Sequence, residues 1–179
     1  MSTHNYHLAA RIMHWSMALL ILSMLFAGLA MVQSLEPWHL TFLQLHKSFG
    51  VVALLAVIAR VVVRLRFTPP PLPSSVPVLQ QKIAKFSHML LYLAMFAMPL
   101  SGYLMQSAAG RPVVVFDLFA LPQILPQNLA LYGFLREFHG WVAWAFIALI
   151  LVHIGAALHH GLIKRDGVLQ QMLGSKPKD

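Results

Sequence analysis

The run FHGWVAWAFIALILVHIGAALHHGLI fills residues 138–163 and contains no Asp, Glu, Lys or Arg. About 20 apolar residues in a helix cross the roughly 30 Å of a bilayer's hydrocarbon, so this run reads as a membrane span. It also carries His139 and His153, 14 positions apart. At 100° per residue the two side chains fall within about 40° of each other on one helix face, about 21 Å apart along the axis. A histidine inside a span is costly unless it has a partner, so both are functional candidates. The distance is far too long for one shared metal ion and suits two stacked centres, one toward each membrane face.

Working outward, three more runs are free or nearly free of charge: residues 12–35, residues 48–59 followed by Arg60 and Arg64, and residues 86–110. The second reaches span length only if it begins near residue 40 and ends near residue 65, with its arginines paired or snorkelling. The expectation is an all-α integral membrane four-helix bundle. It forms a single domain over residues 1–179, with spans at about 8–33, 40–65, 84–106 and 137–162. Arg11 followed by an apolar run and Gly28-Leu29-Ala30 has the look of a cleavable signal, but the run exceeds a usual signal core and reads as a span.

Composition agrees. The chain has 179 residues, 59% apolar and 10% charged, with a mean hydropathy of +0.71. Average soluble domains are about 25% charged, so the composition argues against a soluble enzyme or solvated binding module, and the apolar content excludes a disordered chain. Cysteine is absent, which removes disulfides, cysteine-bound zinc, iron–sulfur clusters and thioether-attached haem. The formal charge of +8 would suggest nucleic acid in a soluble protein. Here the loops explain it. With the N-terminus inside, Arg11, Arg60, Arg64, Arg66, Lys82, Lys85, Lys164, Arg165, Lys176 and Lys178 lie on the inner side, ten of the thirteen basic residues. Lys47, Arg111 and Arg136 lie outside. Both termini are expected in the cytoplasm, with membrane lipid and no nucleic acid as the surroundings.

The inner loop holds Thr68-Pro69-Pro70-Pro71-Leu72-Pro73 and reads as an extended connector. The outer loop from Gln106 to Glu137 is apolar and proline-bearing, and residues 116–121 read as lying on the membrane surface or covering a site. Trp15, Trp38, Trp141, Trp144 and Tyr132 stand near span ends, as interfacial anchors do.

Each proposed centre needs a second ligand from another helix. His14 lies at the inner end of span one, His46 at the outer start of span two, His139 at the outer start of span four and His153 on its inner half. His46 can therefore face His139, and His14 can face His153. Two imidazoles on one iron describe bis-histidine haem better than zinc, which takes four ligands. Fourteen residues after His46 stands Arg60, on the same face and at the depth of the inner centre. Arginine suits a haem propionate bidentately, so Arg60 is a candidate partner for it. Gly28, fourteen residues after His14, falls at the depth of the outer centre. Gly50, one turn from His46, and Gly140, beside His139, leave room for a flat macrocycle. His160 shares the face of His153 and replaces it if the inner haem sits nearer the surface. His88, His159 and His160 otherwise border the inner haem, where they can bind or protonate a quinone. His4, His7 and His39 carry no signal.

These features resemble those of the bacterial cytochrome b561 family, four-helix di-haem cytochromes of the inner membrane. The matching pieces are His14-Trp15, Leu45-His46-Lys47-Ser48-Phe49-Gly50, Arg60 and Arg64-Leu65 before a proline-rich loop, and Phe138-His139-Gly140 with His153 and His159-His160. They span nearly the whole chain. The resemblance implies two b haems held by His14, His46, His139 and His153. It also implies electron transfer between the quinone pool and a periplasmic donor or acceptor. Some members are described as superoxide oxidases with ubiquinone as acceptor. The outer face here sets Lys47, Arg111 and Arg136 against Glu36, Asp117 and Glu137, a formal tally of zero, so the substrate stays open. An alternative is a non-catalytic anchor subunit wiring a periplasmic dehydrogenase or hydrogenase to quinone. A histidine proton relay in a transporter is disfavoured, because the spans lack acidic residues.

Overall fold

The computed structural model describes residues 5–33, 36, 38–73 and 76–175. His4, and Lys176 and Lys178 of the charge count, lie outside the described residues. Four helices are long and apolar enough to cross a membrane. They are α1 (Leu8–Gln33), α2 (Trp38–Arg66), α3 (Val78–Ala108) and α4 (Leu129–Leu158), the last continuing into a π-helical turn (His159–Lys164) and a short α5 (Val168–Leu173). The helices run beyond their charge-free runs, because hydrogen bonding continues after the chain leaves hydrocarbon. α1 packs on α2, α2 on α3 and α3 on α4.

The interior contact layer sits at mid-depth. Leu25 of α1, Ala94 of α3 and Phe146 of α4 form its buried centre, with Ile21, Leu91, Met95, Met98 and Ile150 packed around it. Phe146 lies seven residues from His139 and seven from His153. Along a helix that is about 10 Å each way, so an apolar plug separates the two ends of the bundle. Leu19, Phe26, Leu55, Trp141 and Leu151 point outward and are exposed, which in water would be a large apolar patch and in lipid is the expected boundary.

One end gathers both described chain ends. Arg11 donates through Nε to the Met172 carbonyl at 3.3 Å and through its terminal nitrogen to the Leu173 carbonyl. A cation at the C-terminal carbonyls of a helix is favourably placed, so Arg11 caps α5. The Tyr6 amide donates to the Gln171 carbonyl, and Gln171 Nε2 to the Pro71 carbonyl. The segment before α1, the proline-rich connector and α5 thus meet at this end, called inner here after the charge count.

The opposite, outer end is built by the α3–α4 connection. α4 starts where Asn128 accepts a hydrogen bond from the Leu131 amide, a side-chain N-cap. Before it, β1 (Val114–Val115) and β2 (Phe119–Ala120) pair antiparallel. Their turn places Phe116 and Asp117 at positive φ, 47° and 58°. That is the backbone of a tight hairpin turn that glycine or asparagine usually fills, and an aromatic residue there is strained. Ser48, buried on α2, holds it. Its hydroxyl accepts from the Phe116 amide at 3.0 Å and donates to the Val114 carbonyl at 3.3 Å, while Phe49 meets the Phe116 ring edge-on. Residues 116–121 therefore begin in a hairpin docked on α2, two residues beyond His46. Ser48→Ala removes the partner of the part-buried Phe116 amide and Val114 carbonyl and should cost about 1–3 kcal/mol. The expected result is a hairpin newly cut by protease and a lower melting temperature in detergent, with an unchanged helical circular-dichroism spectrum at low temperature.

Candidate functional site

The bundle brings the histidines together in two groups at different depths. At the outer end the rings of His46 on α2 and His139 on α4 have centroids 6.5 Å apart and planes inclined by 75°. At the inner end His14 on α1 and His153 on α4 have centroids 6.1 Å apart and planes inclined by 58°. His88 on α3 also meets His153, at 5.5 Å. Among the described residues no three His, Asp or Glu side chains gather to hold one metal ion.

Local geometry follows from the sequence around each ring. A Cβ on Gly28 would stand 3.6 Å from His46 Cε1, and one on Gly102 would stand 3.4 Å from His139 Cε1. Both glycines thus lie against the outer pair. Gly50 and Gly140 face open space, with no atom within 4 Å of the Cβ position. Ser101, the residue before Gly102, places its hydroxyl oxygen 2.9 Å from His139 Nδ1. Ser101 carries no helix-period signal of its own; a small residue pair, Ser101-Gly102, within a span that also holds Gln106 and Ser107 is all the sequence offers.

At the inner end Arg60 donates to His14 Nδ1 at 3.0 Å and lies 5.9 Å from the centre of the Tyr92 ring. Its Nε is buried and has no hydrogen-bond partner among the described residues, and its guanidinium meets no carboxylate there. A half-buried cation with no carboxylate beside it among the described residues is a place for an anion. Beyond the membrane-spanning helices, burial pushes the Tyr6 phenol above its ordinary pKa, with Arg64 and Arg60 pulling the other way. His160 pairs with an acid: its Nδ1 is 2.5 Å from Asp166 Oδ2, just after the π-helical turn. His7 stacks on Phe67 at the inner surface.

The residues fit bis-imidazole haem on two counts. Two imidazoles sharing one first-row metal ion bind it at about 2 Å each, which sets their ring centres about 6 Å apart. Both pairs have that spacing. Arg60 Nε, beside the inner pair, is a buried donor without a protein partner among the described residues, which a haem carboxylate would supply.

Residues 5–175 match the family described as prokaryotic cytochrome b561. The chain belongs to the prokaryotic cytochrome b561 family. It is 35% identical over 178 residues to "Cytochrome b561 homolog 2" of Escherichia coli (strain K12), covering 98% of this chain and 94% of that protein. "Cytochrome b561 homolog 1" of the same organism is 26% identical over 166 residues, 90% of this chain and 92% of that one. "Probable superoxide oxidase CybB" of Yersinia pestis is 29% identical over 168 residues, 91% of this chain and 92% of that one. Membership in the cytochrome b561 family makes the chain a membrane-spanning protein of electron transport and implies a b-type haem cofactor.

Proposed function

We propose that this chain forms one domain in the bacterial inner membrane, both termini cytoplasmic, that holds two b haems. His46 and His139 would hold the outer one, and His14 and His153 the inner one. It would pass electrons from a periplasmic donor to the quinone pool. The observation that carries this reading is the pair of histidine couples, each at haem-ligand spacing, on either side of the Phe146 plug.

Bound there, the haems would supply one-electron storage at two depths. The chain's own residues do the rest. Held by two imidazoles each, the centres would exchange electrons without binding a substrate atom. Leu25, Ala94 and Phe146 keep water from the layer between the couples. Arg60 offers the inner centre a cation for a propionate, and Gly28 and Gly102 keep backbone, not side chain, against the outer rings. His159 and His160 stand near the inner boundary, with His88 packed on His153; a ubiquinone being reduced there would need protons, and the His160–Asp166 couple can relay one.

For the donor, Lys47 on α2 and Arg111 of the outer loop lie close enough to act on each other. Two neighbouring cations at the outer end favour a small anion. Superoxide, the substrate in the name of the Yersinia relative, fits that charge. An absorption spectrum of the purified protein tests the reading, with pyridine haemochrome quantitation. The expected result is two b haems per chain, reduced by superoxide and reoxidised by ubiquinone. A protein that stays colourless when haem is supplied during expression overturns it.

A further inference from the structure

Ser101 lies against the outer pair. It is buried, and its hydroxyl donates to the Met98 carbonyl at 3.0 Å while its oxygen lies 2.9 Å from His139 Nδ1. A hydroxyl has one proton to give. With that proton on Met98, the oxygen accepts, so the nitrogen facing it carries the ring's proton and Nε2 keeps its lone pair. Gly102 leaves the ring room to hold this pose. Two other rings differ. His46 Nδ1 is buried with no hydrogen-bond partner among the described residues, and His14 Nδ1 faces a donor, Arg60.

We infer that Ser101 is a positioning residue for His139: it fixes the tautomer and the plane of that imidazole and so tunes the outer centre separately from the inner one. This rests on the proposed haem-holding role of His139. An acceptor on the far N–H makes an imidazole a stronger donor to the metal, which favours the ferric state and lowers the reduction potential. The Met98 carbonyl also reaches the ring. Removing the hydroxyl therefore turns the imidazole rather than stripping it of every acceptor, and the effect belongs at the low end of the range for such outer partners.

The test is a potentiometric titration of the purified haem-loaded protein, with electron paramagnetic resonance of the ferric state, for wild type, Ser101→Ala and Ser101→Thr. In Ser101→Ala one of the two midpoints should rise by about a tenfold change in ferric-over-ferrous preference, about 59 mV for one electron. The low-spin signal of that same haem should move, since it reports the orientation of the ligand planes. The other haem should be unmoved. Ser101→Thr, which keeps the hydroxyl, should match wild type. If Ser101→Ala loses one haem and Ser101→Thr keeps it, the proposal also stands. It is overturned if neither midpoint moves, if both move alike, or if Thr shifts as far as Ala. Wild type with two haems and unmoved variants overturns the Ser101 role alone; wild type without the outer haem overturns the reading beneath it as well.

Discussion

His46→Ala and His153→Ala should each yield a protein with one haem, and not the same one. The two side chains belong to different couples, His46 with His139 and His153 with His14, and the Phe146 layer lies between them. Loss at one end therefore need not disturb the other. A haem held by a single imidazole loses half its protein ligation, and the remaining ring is left as a buried polar group facing a void. Pyridine haemochrome stoichiometry should fall from two per chain to about one in each variant, a full site lost by the expected ligation. The reduced-minus-oxidised α-bands left in the two variants should differ and together rebuild the wild-type band. His88→Ala is the control. His88 lies 5.5 Å from His153, nearer than His14 does. If His88 rather than His14 completes the inner couple, His88→Ala loses a haem and His14→Ala keeps both. The expected result is the reverse. Two haems retained in either His46→Ala or His153→Ala would sink the pairing.

What the sequence revealed, and what it hid, follows from which interactions are periodic. Helix period alone puts His139 and His153 on one face, and up-down connectivity then decides which end of the bundle each neighbour occupies. The two histidine groups were legible for that reason, as was Gly28 opposite His46. Period does not give the rotation of one helix against the next. The pattern of span three marks no residue against the outer pair, yet its Ser101 and Gly102 lie against His139. Depth alone puts His88 at the inner edge, but only packing shows it against His153. The hairpin was hidden for another reason. Its turn residues are Phe116 and Asp117 rather than the glycine or asparagine that announces such a backbone, and the compensation comes from Ser48, far away in sequence. α5 was likewise unreadable, since six residues have little helical preference alone and are held by Arg11 and Tyr6 from the other end of the chain.

Arg60→Gln should weaken the hold on one haem, the inner, by about 10- to 100-fold, the range expected when an outer partner of a metal site is removed. The contact that Arg60 now makes with His14 Nδ1 explains why. Guanidinium has only donors to offer, so in that contact Nδ1 accepts and the ring's proton sits on Nε2. A ring in that state has no lone pair on Nε2 for a metal. For His14 to serve as a ligand through Nε2, its proton must be on Nδ1, and Arg60 must turn elsewhere. A haem propionate would give the guanidinium a charged, bidentate partner in place of a neutral nitrogen. Competition for haem by apomyoglobin measures the hold directly. Arg60→Gln should release one haem faster than wild type and the other at the wild-type rate. Arg60→Lys should recover only part of the difference, because an ammonium is a point charge without the fork. Equal release rates in wild type and Arg60→Gln would show that the cation pairs with no carboxylate of the inner haem, and that its place beside His14 is a packing contact only.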